Sequence, residues 1–382
     1  MMKEKTAALL LVVSLSAALA GEVKAASGSN QQPQPSNAEV NAPAQQGEVQ
    51  LTLEQAVALA EANNELLRSS TRDVDRKGIT LQEAVEDLGY ISPYDVDGSV
   101  DASESNPRWK SYTSANEAYL TAVRHAKFAK DKVYFSVMKS YQAVYVAENN
   151  VETAQQQLEL ARAKERIAAA KSSRGLMAQN EYDDAAHSRM EAEETVRQRS
   201  LELQKAYDAL NTLIGKPKGT TYTLENPPEY RKPVKLDIEA HISKLVEDSP
   251  EIIDLKEAVK NSEWNIRYDN FQGSESDKKL KRMDLEEANE RLTKGKEDFA
   301  ESLRTAYSTL MDKGQEYIRL KENYDIAQKA LELSRKKWDR GMIVQSELVE
   351  SRLNADQLRR QLEELVIEIS QLEYTLNKPW SV

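Results

Sequence analysis

The chain has 382 residues and no cysteine. Disulfides, thiol catalysis and a lipidated-cysteine anchor are therefore excluded. Its three histidines, His125, His187 and His241, are isolated, which leaves little for a zinc site. Aromatics make up only 6% of residues, 30% are charged, and mean hydropathy is −0.67. That balance suits long exposed helices and is poor for a large globular core. Basic residues are the minority: 52 Lys and Arg against 63 Asp and Glu give a net charge of −11, which disfavours nucleic acid as a partner. After the N-terminal apolar run, no stretch is long and apolar enough to cross a membrane as a helix. No catalytic constellation stands out either. Runs such as Glu191-Ala192-Glu193-Glu194 read as solvated charge on helix faces, so the sequence points to no enzyme and to no cofactor.

Proline and glycine are scarce in a patterned way. No proline occurs from Arg108 to Ile214, and Gly175 is the only glycine there; from Glu251 to Lys378 there is again no proline. These two residues cost a helix interior the most, about 3 and 1 kcal/mol. A lone glycine in such a run marks a turn, because it takes positive φ cheaply and closes the incoming helix. The turn reads Arg174-Gly175-Leu176-Met177, and a second copy reads Arg340-Gly341-Met342-Ile343. Each is the expected tip of a helical hairpin. Lys171 and Lys337 precede the tips, and Glu181 and Glu347 follow at the same spacing after each glycine. These charges suit the poles of the helix dipole on either side.

Taken in order, the chain starts with Lys3, Lys5 and an apolar run from Ala7 to Ala20, an export signal expected over residues 1–26 with cleavage after Ala20 or Ala25. Residues 27–49 are Pro/Gln-rich and read as a disordered linker. Thr52-Leu53-Glu54-Gln55 forms a capping box, and Thr80-Leu81-Gln82-Glu83 a second, predicting two short helices. Residues 90–108 read as a loop, with a short strand or hairpin as the alternative. A long helix is expected from Ser114 to Ser173 and its partner from Gln179 to Leu213. A connector spans residues 218–235. A helix from Leu236 to Asn270 follows, then a break at Phe271–Ser274. A second long helix runs from Asp277 to Trp338 and its partner from Ser346 to Asn377. In the last, Leu358, Leu362, Leu365, Ile369, Leu372 and Leu376 repeat at 4-3-4-3-4, a coiled-coil seam. Tyr141 precedes Gly175 by the same separation as Tyr307 precedes Gly341. Thr212-Leu213-Ile214-Gly215-Lys216-Pro217 closes one half and Thr375-Leu376-Asn377-Lys378-Pro379 the other. The expectation is a tandem repeat, residues 51–217 and 236–379. Two hairpins of this length have exposed seams that need partners, either in one four-helix rod or in a ring of several subunits.

With these features in place, the chain resembles the TolC family of outer-membrane efflux proteins over residues 51–379. The resemblance is carried by the opening Leu51-Thr52-Leu53-Glu54-Gln55-Ala56-Val57-Ala58-Leu59-Ala60-Glu61-Ala62-Asn63-Asn64. It is carried equally by the second opening at Leu236 with Ser249-Pro250-Glu251-Ile252, by both Arg-Gly tips, and by the Leu-Ile-Gly-Lys-Pro close. It implies an all-α protomer of a helical barrel, assembled as a homotrimer. It also implies a passive conduit in an efflux or type I secretion assembly of the cell envelope, with a periplasmic adaptor and an inner-membrane pump as partners. By position, Arg174, Gly175, Leu176, Arg340, Gly341 and Met342 would contact the adaptor, with Glu181 and Glu347 as acidic tip residues. The departure is the β-barrel. Spanning strands need about 9–11 alternating residues each. Residues 90–108 are acidic and proline-broken, and Asn270–Ser276 are too few, so little or no barrel is expected. The alternative is an exported coiled-coil spacer without a lumen; a third reading, the adaptor itself, fits poorly with two hairpins and scarce strand signal. His187 near a tip reads as a surface histidine. Lys278-Lys279, Lys281-Arg282 and Arg335-Lys336-Lys337 read as ion-pairing positions before anionic-partner patches. Trp109, Trp264 and Trp380 read as packing residues before a membrane-interface belt.

Overall fold

The computed structural model describes residues 50–89, 107–225, 229–268 and 275–381. The signal and linker, residues 90–106 and the expected break at 271–274 lie outside them. The described chain is almost wholly helical: α1 Leu53–Asn63, α2 Glu65–Leu88, α3 Pro107–Ser172, α4 Gln179–Ile214, α5 Ile238–Asp248, α6 Pro250–Tyr268, α7 Glu275–Asp339 and α8 Gln345–Asn377, then a 3-10 turn at Pro379–Ser381. Strand structure among these residues is confined to β1 Gln50–Leu51 and β2 Thr223–Leu224, paired in parallel. The expected all-α class is what the chain adopts.

Two rods set the scale. α3 has 66 residues and α7 has 65. The helical rise makes each roughly 100 Å long. Each carries shorter helices along its two halves. α2 folds back on the first half of α3, where a Cβ at Gly78 would lie 3.5 Å from the Tyr119 ring, and α4 lies along the second half. Likewise α6 lies on the first half of α7, with Gly295 under Leu255, and α8 on the second. The two halves meet where α3 lies against α8. The row therefore runs α4, α3, α8, α7, and no packed interface joins α4 to α7 among the described residues. The outer helices keep apolar side chains exposed, Met190 and Leu201 on α4 and Ile318, Ile326 and Leu333 on α7.

Apolar packing concentrates at mid-height. One cluster joins α1, α3 and α4 through Ala56, Val133, Val137, Val144, Leu210 and Ile214, capped by Leu51 and Tyr222 from the strands. A second joins α5, α7 and α8 through Ile242, Leu245, Leu303, Leu310, Leu365, Ile369 and Leu376. A smaller one, Ala327, Leu331 and Ala355 with Leu348 and Leu358, continues the α7–α8 seam toward the turn. The heptad leucines of α8 thus fill the interface they were expected to fill.

Two expectations fail at this level. The second capping box does not start a helix, because α2 runs unbroken through it. Thr80 Oγ1 donates back to the Arg76 carbonyl at 3.2 Å instead of capping. Conversely, the single helix expected from Leu236 to Asn270 is two. Pro250 pushes Ser249 into the extended region, at ψ 126°, and α6 restarts with proline at its first position.

The connector between the halves is held by the duplicated tyrosines. The Tyr141 hydroxyl donates to the Leu51 carbonyl at 2.8 Å and accepts the Glu225 N–H at 2.9 Å; the Tyr307 hydroxyl accepts the Leu236 N–H at 3.2 Å. Burial raises the Tyr141 pKa, keeping the phenol neutral as a donor.

Candidate functional site: the pole of the two turns

Both Arg-Gly turns close their helices with the same hydrogen bonds. At the first, the Leu176 N–H reaches the Lys171 carbonyl and the Gly175 N–H the Ser172 carbonyl, both at 2.9 Å. At the second, the Met342 N–H reaches the Lys337 carbonyl at 2.9 Å and the Gly341 N–H the Trp338 carbonyl at 2.8 Å. This 6→1 and 5→2 pair is the Schellman motif, and it needs the left-handed region at the glycine. Gly175 has φ +71° and Gly341 φ +67°, among positive-φ residues that are all glycine. In most such motifs the next residue packs its side chain back onto the helix. Here it does not: Leu176 is 72% exposed and Met342 67%, with Trp338 and Val344 also exposed. The turns present apolar side chains outward, beside the basic Arg174 and Arg340.

The outgoing helices begin at Ala178 and Val344, whose side chains cannot cap. Glu181 and Glu347 stand in the first turns, where the uncapped N–H groups and the dipole favour a carboxylate. His187 pairs with Glu191 at 3.2 Å, both exposed, as a surface histidine would.

The order of contacts along α3 and α8 places the turns at one end. Asp131 meets Lys378, Gln142 meets Ser370, Asn149 meets Glu363, Gln156 meets Asp356, and Lys164 meets Glu350. The helices are antiparallel and in constant register. Lys164 lies about three turns before Gly175 and Glu350 a similar stretch after Gly341, so both glycines lie roughly 15 Å beyond that last pair.

This line of contacts was not foreseen from the sequence, and it is polar. At mid-height Tyr374 stacks between Tyr134 and Phe135, at 4.9 and 5.7 Å, and Asp131 takes hydrogen bonds from Lys378 and from Trp380 Nε1. Its packing with Phe128 and Asp131 makes Trp380 a packing residue, as expected. Lower down, Glu363 accepts from Tyr145 at 2.9 Å and Asn149 at 3.3 Å while holding Arg359 at 2.6 Å. Lower still, Arg360 is 3% exposed, donates to Thr153 Oγ1, and has Nη2 3.1 Å from Glu152 in an ion pair whose angle does not make a hydrogen bond. Its Nε has no hydrogen-bond partner. Arg360 falls off the heptad stripe and reads in sequence as a solvated residue; no sequence signal marks it. Below Gln156–Asp356 only the exposed Lys164–Glu350 pair, 3.5 Å, is seen between the hairpins as an ion pair or hydrogen bond among the described residues.

Within the expected basic runs, Lys278 pairs with Glu275 at 3.0 Å and Lys336 with Glu332 at 2.6 Å. Among the described residues, no cluster of three or more His, Asp or Glu could hold a metal ion, and no helix is long and apolar enough to cross a membrane.

No family model matches the sequence, and no match to a characterised protein is found. Solved structures do match. The Campylobacter jejuni CmeC outer membrane channel aligns over 92% of this chain and 94% of its own, with TM-score 0.58 and 13% identity. The outer membrane protein VceC of Vibrio cholerae aligns over 86% and 96%, with TM-score 0.58 and 10% identity. The open state of the Neisseria gonorrhoeae MtrE outer membrane channel aligns over 86% and 88%, with TM-score 0.54 and 14% identity. At such identities the likeness is one of fold: the long paired rods and unclosed row described here are a fold shared with outer membrane channels.

Proposed function

We propose that this protein is one subunit of a conduit in the cell envelope, exported by its N-terminal signal, and that its row of helices closes only by joining other copies, as a homotrimer. The observation that carries this reading is the pair of matching Arg-Gly turns at one pole of an open row whose outer rods keep apolar side chains exposed. A self-sufficient spacer would close the four rods on themselves. Arg174, Gly175, Leu176, Arg340, Gly341 and Met342, with Glu181 and Glu347 behind them, form the docking set for an adaptor protein, and an inner-membrane pump supplies the energy for efflux or type I secretion. The chain itself performs no chemistry.

The entrance opens by parting the α3–α4 hairpin from the α7–α8 hairpin. Toward the turns the buried Arg360 contact is followed by the half-buried Gln156–Asp356 hydrogen bond at 3.1 Å. At the opposite pole, only residues 269–274 separate α6 from α7, where two membrane-spanning strands would need about 20 residues. On this reading the second half of the chain contributes no membrane-spanning strand pair.

Mass photometry and negative-stain imaging of the mature protein test the reading. A ring of three copies is expected, and a monomeric rod would replace the conduit with the spacer. Washing cell envelopes with salt should release it, whereas release by detergent alone would overturn the barrel-less attachment.

A further inference from the structure

The pole away from the turns contains a cleft that the conduit does not use. The N-terminal part of α3 and the C-terminal part of α6 run antiparallel there, joined by Arg124–Glu257 at 2.6 Å and by Lys260–Glu117. Beyond these pairs they enclose a cleft of about 460 Å³, lined by Trp109, Thr113, Ser114, Asn261, Trp264 and Asn265, with Lys260 and Glu117 at one side. The volume falls among small-molecule sites, roughly 300–1,000 Å³.

Three features of the lining specify what fits. Two of the four tryptophans in a chain with 6% aromatics sit here, one on each wall. Both indoles are half-buried, Trp109 packing its ring against Tyr112 at 5.5 Å, and each gives part of its apolar surface to the cleft. Between them are two carboxamides, which both donate and accept, and two hydroxyls, of which Thr113 Oγ1 donates to the Trp109 carbonyl at 3.0 Å and keeps its accepting role. The only charges in the lining are paired with each other, so the cleft has no net charge to attract a phosphate or a carboxylate. Flat apolar walls with neutral two-way hydrogen bonding match a ring that has an apolar face and a rim of hydroxyls.

The fold does not itself require these residues. Aligning the two Arg-Gly turns sets Trp109 against Glu275, and aligning the two openings at Leu51 and Leu236 sets Trp264 against Ile79. The other half of the chain thus builds the same rods without either indole. We infer that the cleft between α3 and α6 is a binding site for a neutral saccharide, with pyranose rings stacked on Trp109 and Trp264 and hydroxyl or acetamido groups held by Asn261 and Asn265. The proposal is independent of the conduit reading, since it concerns the opposite pole and needs no particular oligomer.

The mature full-length protein is titrated with chitohexaose and with maltohexaose, read by tryptophan emission and by calorimetry. Saturable binding of at least one sugar is expected. It should weaken at least tenfold in Trp264→Ala and in Asn265→Ala, and be unchanged in Trp338→Ala at the turns. Asn265 is exposed, so its substitution leaves the helices intact, which far-UV circular dichroism checks. Absence of saturable binding of both sugars at millimolar concentration would overturn the site. So would sugar binding that survives the double substitution Trp109→Ala, Trp264→Ala. Tryptophan-dependent binding to phosphatidylglycerol vesicles without sugar binding would reassign the cleft to a lipid surface and also overturn it.

Discussion

Helices meet in two different ways in this molecule. Within each hairpin the mid-height seam is apolar: Val137, Val144, Leu210 and Ile214 between α3 and α4, Leu303, Leu310, Leu365 and Ile369 between α7 and α8. Between the hairpins, below the aromatic stack at Tyr374, the seam adds amides, hydroxyls, carboxylates and one buried guanidinium around the buried Ile367. Apolar contacts are non-directional and cost about the same to break in any direction, so they hold the hairpins as units. Polar contacts are directional and exchange readily with water, so their loss on opening is partly recovered. The molecule is thus divided along its length into two firm pairs and one line along which they can part.

The sharpest way to break that comparison is to weaken each seam in turn. Leu210→Ala, at a fully buried position within the first hairpin, should lower stability by about 2–5 kcal/mol by chemical denaturation. Arg360→Ala should cost less, about 1–2 kcal/mol. Its larger effect should be on geometry. Because the chain has no cysteine, spin labels at introduced Ser173→Cys and Asp339→Cys report the turn-to-turn distance cleanly. Arg360→Ala should lengthen and broaden that distribution, and Leu210→Ala should not. An unchanged distribution in Arg360→Ala would remove the guanidinium as the pin. Gly175→Ala and Gly341→Ala should each cost about 1 kcal/mol, since a Cβ meets nothing within 4 Å at either and only the left-handed backbone is strained. Unequal costs would show that the two turns are not equivalent. The smallest effect is one of pH. Burial first, then the neighbouring Glu368 and Glu363 carboxylates, raise the Glu364 pKa. A carboxylate raised on folding binds its proton more tightly in the native state, so it destabilises above its folded pKa and that penalty fades as pH falls toward the ordinary carboxylate range. Glu364→Gln should therefore raise Tm slightly at neutral pH and flatten its dependence in that window, followed by thermal melts across pH.

The rods and turns were legible because they rest on residues with few alternatives. A lone glycine in a proline-free run has few other uses, and a 4-3 leucine pattern fixes one face of α8. The capping box at Thr52 was legible too, and its reciprocal bonds form at 3.2 Å each. The same four-residue pattern at Thr80 misled, because α2 packs along α3 and runs straight through it, Thr80 Oγ1 bonding the Arg76 carbonyl. Local signals carry no record of such a neighbour. The polar line was illegible for a related reason. Arg360, Glu363 and Asn149 look solvated until α3 is set against α8, and nothing in either helix alone says which helix it will face. The indole cleft was seen only as tryptophans near segment ends, since its two walls come from opposite halves of the chain.

The paired tyrosines on the connector have a mechanical consequence. Tyr141 and Tyr307 hold the two ends of the crossing segment at equal distances along the chain from their turns. With the crossing clamped, the halves have a fulcrum there, and each rod below it is an arm of about 50 Å. A tilt of about five degrees at the fulcrum then swings a turn sideways by about 4 Å, more than the reach of a hydrogen bond. Adjustments too small to disturb the mid-height packing are magnified at the far end into the breaking or making of a whole row of contacts.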